Sequence, residues 1–132
     1  MLKLRLRLCR SSNCIETDSI VDTSFQSSDP EIIISYDMAK RLFEEEIHTV
    51  IVERNILGRR VIMPRTIEMV NTYVVSEDKI SGPVQAYLDI VQGEFSYVSS
   101  KLASLHRIVI IDPWEGLWCF REELGSKIRR SV

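Results

Sequence analysis

Residues 19 to 25 read Ser-Ile-Val-Asp-Thr-Ser-Phe, an apolar run that ends on a carboxylate followed by two small hydroxyl residues. A carboxylate in such a turn is a candidate for general acid–base work, with Asp22 as the group that carries it. The tripeptide alone has low specificity, because any strand can end at an Asp-Thr turn. Other constellations carry less. Glu44 and His48 stand four apart, a spacing that binds metal on a helix, but no third ligand is evident and they read as an exposed pair. His106, beside Arg107, reads as a residue at a helix end. No Ser/His/Asp or Cys/His signature is present, and Trp114 and Trp118 read as packing residues. No metal and no cofactor is implied.

The elements that must position Asp22 are mostly strands. Leu2, Leu4, Leu6 and Leu8 alternate with Lys3, Arg5, Arg7 and Cys9, the period of a strand with one buried face. Ser11-Ser12-Asn13 reads as a turn, and a second strand from Cys14 to about Val21 delivers Asp22. After a polar loop to Pro30, Glu31 to Ile34 form a short apolar strand. Ser35 can cap a helix over 36–46, with Asp37 in its first turn and Met38, Leu42 and Phe43 on one face. The stretch from His48 to Met63 reads as a hairpin around Arg54-Asn55-Ile56-Leu57-Gly58. Strands are expected over 68–75, 84–91, 95–98, 107–111 and 117–120, with a helical turn near 101–106. The expectation is one domain over residues 1–132, mainly β, with six or seven strands, one main helix and a short second one.

Composition supports this class. The 132 residues include 28 Ile and Val against 11 Leu, and β-branched side chains suit pleated surfaces. A net charge of −2 argues against a general nucleic-acid or membrane-surface role, which needs a basic field. The basic residues Lys3, Arg5, Arg7 and Arg10, and Lys127, Arg129 and Arg130, read as solvated strand and tail faces. Cys9, Cys14 and Cys119 are odd in number, with no CxxC pair, which suggests neither a disulfide framework nor a zinc site. That points to a reducing compartment and to the cytoplasm, as does the lack of a signal-peptide core or a long apolar span. Abundant Arg and Glu with scarce Asn and Gln hint at a hot-adapted source.

The order of these pieces resembles the small retropepsin-like aspartic proteases of prokaryotes and archaea. Val21-Asp22-Thr23-Ser24 is similar to their catalytic Asp-Thr-Gly turn. Ile34-Ser35-Tyr36-Asp37-Met38-Ala39-Lys40-Arg41-Leu42 is similar to their main helix. Tyr97-Val98-Ser99-Ser100-Lys101-Leu102 is similar to their second psi-loop. Ile108 to Phe120, with Asp112, Gly116, Trp118 and Phe120, resembles their closing hairpin. Between Glu44 and Gln92 only the strand pattern matches.

The resemblance implies a closed β-barrel of acid-protease type and a peptidase acting on peptides or unfolded proteins. Such chemistry needs two carboxylates sharing one proton, because like charges that close cannot both ionise. One Asp in this chain sits in the required turn, so the site would assemble in a homodimer with Asp22 from each chain, the Thr23 hydroxyls locking the turns together. The hairpin tip Asn55, Ile56, Leu57 and Gly58 is the expected flap, with the 76–83 hairpin as the other choice. The sequence departs from the pattern at Ser24 and Ser99, where the family has glycine, so Asp22, Thr23 and Ser24 form either an active site or a relic. The alternative is a catalytically inactive dimeric binding module of the same fold. A second alternative rests on 57–67, Leu-Gly-Arg-Arg-Val-Ile-Met-Pro-Arg-Thr-Ile, which is similar to the core of swapped-hairpin DNA-binding antitoxins.

Overall fold

A computed structural model describes every residue from 1 to 132. β1 (Lys3–Arg10) opens the chain and shows the expected alternation, with Leu2, Leu4, Leu6 and Leu8 buried. Each contributes roughly 1.5–3 kcal/mol by leaving water. The outward side chains Arg5 and Arg7 pair across the strands with Asp18 and Glu16 of β2 (Asn13–Val21). Cys9 and Cys14 face each other in this register and form a disulfide. The expectation of unpaired cysteines is therefore corrected, and the cysteine count no longer argues for a reducing compartment.

β3 (Glu31–Ser35) runs into α1 (Tyr36–Leu42), whose first turn is capped by Ser35 Oγ accepting from the Met38 amide at 3.2 Å. The helix stops four residues before the expected end. Glu44, Glu45 and Glu46 would place three carboxylates at the negative end of the helix dipole, and the chain turns extended at Phe43 instead. Glu44 and His48 thus share no helix. β4 (Thr49–Ile56) and β5 (Arg59–Thr66) form the expected hairpin, followed by β6 (Val70–Val75), β7 (Ile80–Val91) and the two-residue β8 (Tyr97–Val98). α2 (Ser100–Leu105) is the expected short helix, with His106 at its end.

These eight strands make one mixed sheet in the order β3-β8-β2-β1-β6-β7-β5-β4. β3 also pairs in parallel with β7, so the sheet curls back on itself. The main core fills its interior. A smaller cluster, Phe25, Ile33, Ile56 and Met63, packs the β4–β5 hairpin onto the other face of β3.

The structure has eleven strands where six or seven were expected; β9 (Ile108–Asp112) and β10 (Leu117–Phe120), close to the strands expected at 107–111 and 117–120, form a second sheet with β11 (Arg129–Arg130), which was not expected. Arg129 is not a solvated tail residue. It is buried, bonds to Glu123 at 2.7 and 2.8 Å and to Asp78 at 2.7 Å, and lies over the Phe120 ring. Trp118 packs edge-on against Phe120, as a core residue should. Trp114 does not pack: it projects from the β9–β10 turn, 85% exposed. No helix is long and apolar enough to cross a membrane.

Candidate active site

The strand register decides what surrounds Asp22. β8 inserts between β2 and β3, pairing Val98 in parallel with Val21 and antiparallel with Ile32. The turn after β2 and the turn after β8 therefore lie side by side, and the Ser100 amide donates to the Phe25 carbonyl at 2.9 Å. Phe25 is fully buried and anchors the first turn, while the Phe25 amide closes it onto the Asp22 carbonyl at 3.1 Å. Tyr97 and Val98 thus lie beside Ile20 and Val21, and Ser99 follows them next to the Asp22 turn.

Asp22 is 7% exposed, whereas Thr23 and Ser24 face solvent. Asp22 Oδ1 accepts two hydrogen bonds from Ser24, one from the amide at 2.9 Å and one from the hydroxyl at 2.7 Å. Oδ2 is buried with no partner. The carboxylate is held through one oxygen, and the other makes no hydrogen bond within the chain. Neither serine that stands where glycine was expected takes a positive φ. Ser99 sits at φ −66°, caps α2 by accepting from the Leu102 amide at 3.1 Å, and also accepts from the Glu31 amide at 3.0 Å. Both serines therefore fit without backbone strain, which is the usual reason for a glycine.

Asn55, Ile56, Leu57 and Gly58 form the tip of the β4–β5 hairpin. Leu57 and Gly58 take φ +52° and +76°, the signature of a tight two-residue hairpin turn. The tip reaches the Asp22 turn: the Leu57 amide donates to Ser24 Oγ at 2.9 Å. The 76–83 hairpin points elsewhere, with Asp78 bound to Arg129 and Lys79 to Glu122. Within 57–67, the residues up to Thr66 form the turn and β5, the strand pairing with β4 along its length. A groove of about 520 Å³ between α1 and the hairpin, lined by Tyr36, Ile47, Ile62 and Pro64 among others, does not reach Asp22.

A second acidic cluster, missed in the sequence, lies under the hairpin. Glu31 on β3 and Asp89 on β7 are both fully buried. Arg54 on β4 grips Glu31 through two bonds of 2.8 and 2.6 Å. Arg65 on β5 stacks on the Tyr87 ring and reaches Asp29 at 3.3 Å and Glu31 at 3.8 Å. Burial, then the hydrogen bond to Glu31 and its charge, push the Asp89 carboxyl up to about 9. Burial also pushes Glu31 up, but hydrogen bonds from Arg54 and Asp89 outweigh it and hold Glu31 below the usual carboxylate range. As an anion Asp89 would have no donor for either oxygen. The neutral acid removes that difficulty by donating its own proton toward Glu31. The available signal was a charged residue interrupting an apolar strand, as in Glu31-Ile-Ile-Ile and Tyr87-Leu-Asp89-Ile-Val.

No protein-family model matches this chain, and no curated protein matches it either.

Proposed function

We propose that the chain is a retropepsin-type aspartic peptidase whose site is completed by a second copy, with Asp22 of each protomer forming the catalytic pair. One observation carries this reading: Asp22 is oriented through Oδ1 while Oδ2 stays unpartnered, in a turn whose flanking hydroxyl residues face outward. The Thr23 hydroxyl has no partner within the chain, which leaves it free to bond across a two-fold axis. The paired Asp22 carboxyls would share one proton, one acting as base toward a water and the other donating to the peptide carbonyl. The adjoining hairpin supports the reading, since its tip lies over the same turn.

The test has two arms. Light scattering at micromolar concentration should give a dimer, and a strict monomer would overturn the proposal. Cleavage of an unstructured protein at pH 4 to 6 should be blocked by a hydroxyl-bearing transition-state mimic. Asp22→Asn should lower that cleavage by about 10²–10⁴-fold or more, because it removes the proton-transfer group. The bond from the Leu57 amide to Ser24 favours one other reading, a dimeric binding module with the same turn but no turnover. A folded dimer in which Asp22→Asn changes nothing would select it.

A further inference from the structure

We propose that Ser24 is a latch whose hydroxyl ties the hairpin tip to the Asp22 carboxylate, so that the tip must let go before a peptide can lie across Asp22. This rests on the reading of Asp22 as a peptidase acid, and it names a control on that same site. Ser24 Oγ accepts from the Leu57 amide at 2.9 Å and donates to Asp22 Oδ1 at 2.7 Å. A hydroxyl has one proton, and an amide can only donate, so the direction of the relay is fixed: Leu57 N–H to Ser24 O–H to Asp22. Leu57 is available for this because it is the first turn residue, beyond the last ladder pair Ile56 and Arg59, and so has no strand partner for its amide. Its positive φ holds that amide in place.

The rest of the hairpin does not depend on the latch. Ile56 and Met63 are packed with Phe25 and Ile33, and Arg54 is fixed on buried Glu31. Losing the Ser24 hydroxyl therefore frees the tip and leaves the root in place. Glycine at this position, as in the pattern the turn resembles, could offer no such bond. The serine converts a passive turn into one that senses whether the hairpin is closed.

The experiment is amide hydrogen exchange on the full-length chain, read at Leu57 and, as controls, at Val52 and Met63 in the hairpin ladder. One hydrogen bond's worth of protection predicts about 3- to 10-fold faster exchange at Leu57 in Ser24→Ala, with the controls unchanged. Ser24→Thr, which keeps the hydroxyl, should restore the wild-type rate. Asp22→Asn should also keep Leu57 protected, since its carbonyl oxygen still accepts from Ser24. Equal Leu57 exchange in wild type and Ser24→Ala would overturn the latch, as would acceleration spread equally over all three amides. Peptide cleavage provides a second readout: Ser24→Ala and Ser24→Gly should both lower KM by a similar few-fold. A gain with Gly but not Ala would assign the effect to the Cβ and overturn the latch. A chain in which Asp22→Asn leaves cleavage untouched sinks the peptidase reading alone, because the exchange measurement stands without it.

Discussion

Asp22 and Asp89 are both buried carboxyls, and the same hairpin touches both their neighbourhoods, yet the two are finished differently. Asp89 is sealed among β3, β7 and the hairpin root, with its carboxyl displaced far above the ordinary range and two arginines closing the cluster. Asp22 stands at the end of its strand with one oxygen held and one unused, next to side chains that face solvent. A strong shift is often taken as a mark of a functional site. Here the shifted group is fully buried, and its shift follows from that burial and from its pairing with Glu31. The group proposed above for chemistry is the one that borders solvent-facing hydroxyl residues. What separates the two in this fold is exposure: Asp22 lies beside side chains that face solvent, whereas Asp89 is enclosed with Glu31, Arg54 and Arg65.

The largest effect that would test this contrast is catalytic. Asp22→Asn should remove peptide cleavage, and its thermal midpoint should stay within a few degrees of wild type. The asparagine carbonyl can still accept both bonds from Ser24, so the turn keeps its shape. A variant that fails to fold would place Asp22 with Asp89 as a structural acid and collapse the distinction.

The next effect runs the other way. Glu31→Ala should cost about 3–5 kcal/mol of stability, because it removes the buried carboxylate that Arg54 grips through two bonds and leaves Arg65 with Asp29 alone. Urea unfolding gives the number directly, provided the slope stays unchanged. A loss below about 1 kcal/mol would show that water reaches the cluster, and Glu31 and Asp89 would then become candidates for chemistry themselves.

Much of the Asp22 side of the comparison was legible in the sequence because it is local. The Leu2–Leu8 alternation, the acid at the end of its strand and the hairpin at Gly58 are each set by side-chain period or turn chemistry within a few residues. The Glu31 side was not, because residues 31, 54, 65 and 89 meet only through the β3–β7 pairing and the folding back of the hairpin. Arg129 was misread for the same reason: Asp78 comes to it from far along the chain. The disulfide failed by a single residue. The structure turns at Ser11-Ser12, which sets Arg10 against Asn13 and hence Cys9 against Cys14. A turn placed over Ser11-Ser12-Asn13 hides that pairing.

The remaining effect is the pH dependence that Asp89 should impose, and its sign follows from proton counting. The folded chain holds a proton on Asp89 up to about pH 9, whereas an unfolded aspartate releases it near pH 4. Stability from this group is complete below the unfolded value and falls as pH rises toward 9, by at most about 1.4 kcal/mol per pH unit. His106 opposes it at the acid end. Burial holds its imidazole down to about 4, where Thr72 and Ser81 keep it bonded, so its contribution grows as pH rises from about 4 to 6.5. Below pH 6.5 the two slopes work against each other, and from 6.5 to 9 Asp89 acts with little interference. Unfolding curves across that upper window should therefore show wild type losing stability. Asp89→Asn imitates the neutral acid and has no proton to lose, so its curve should be flat and should cross above wild type as pH rises. Parallel curves for the two proteins would mean that Asp89 is ionised in its cluster after all, and that the sealed site and the open one differ less than their geometry says.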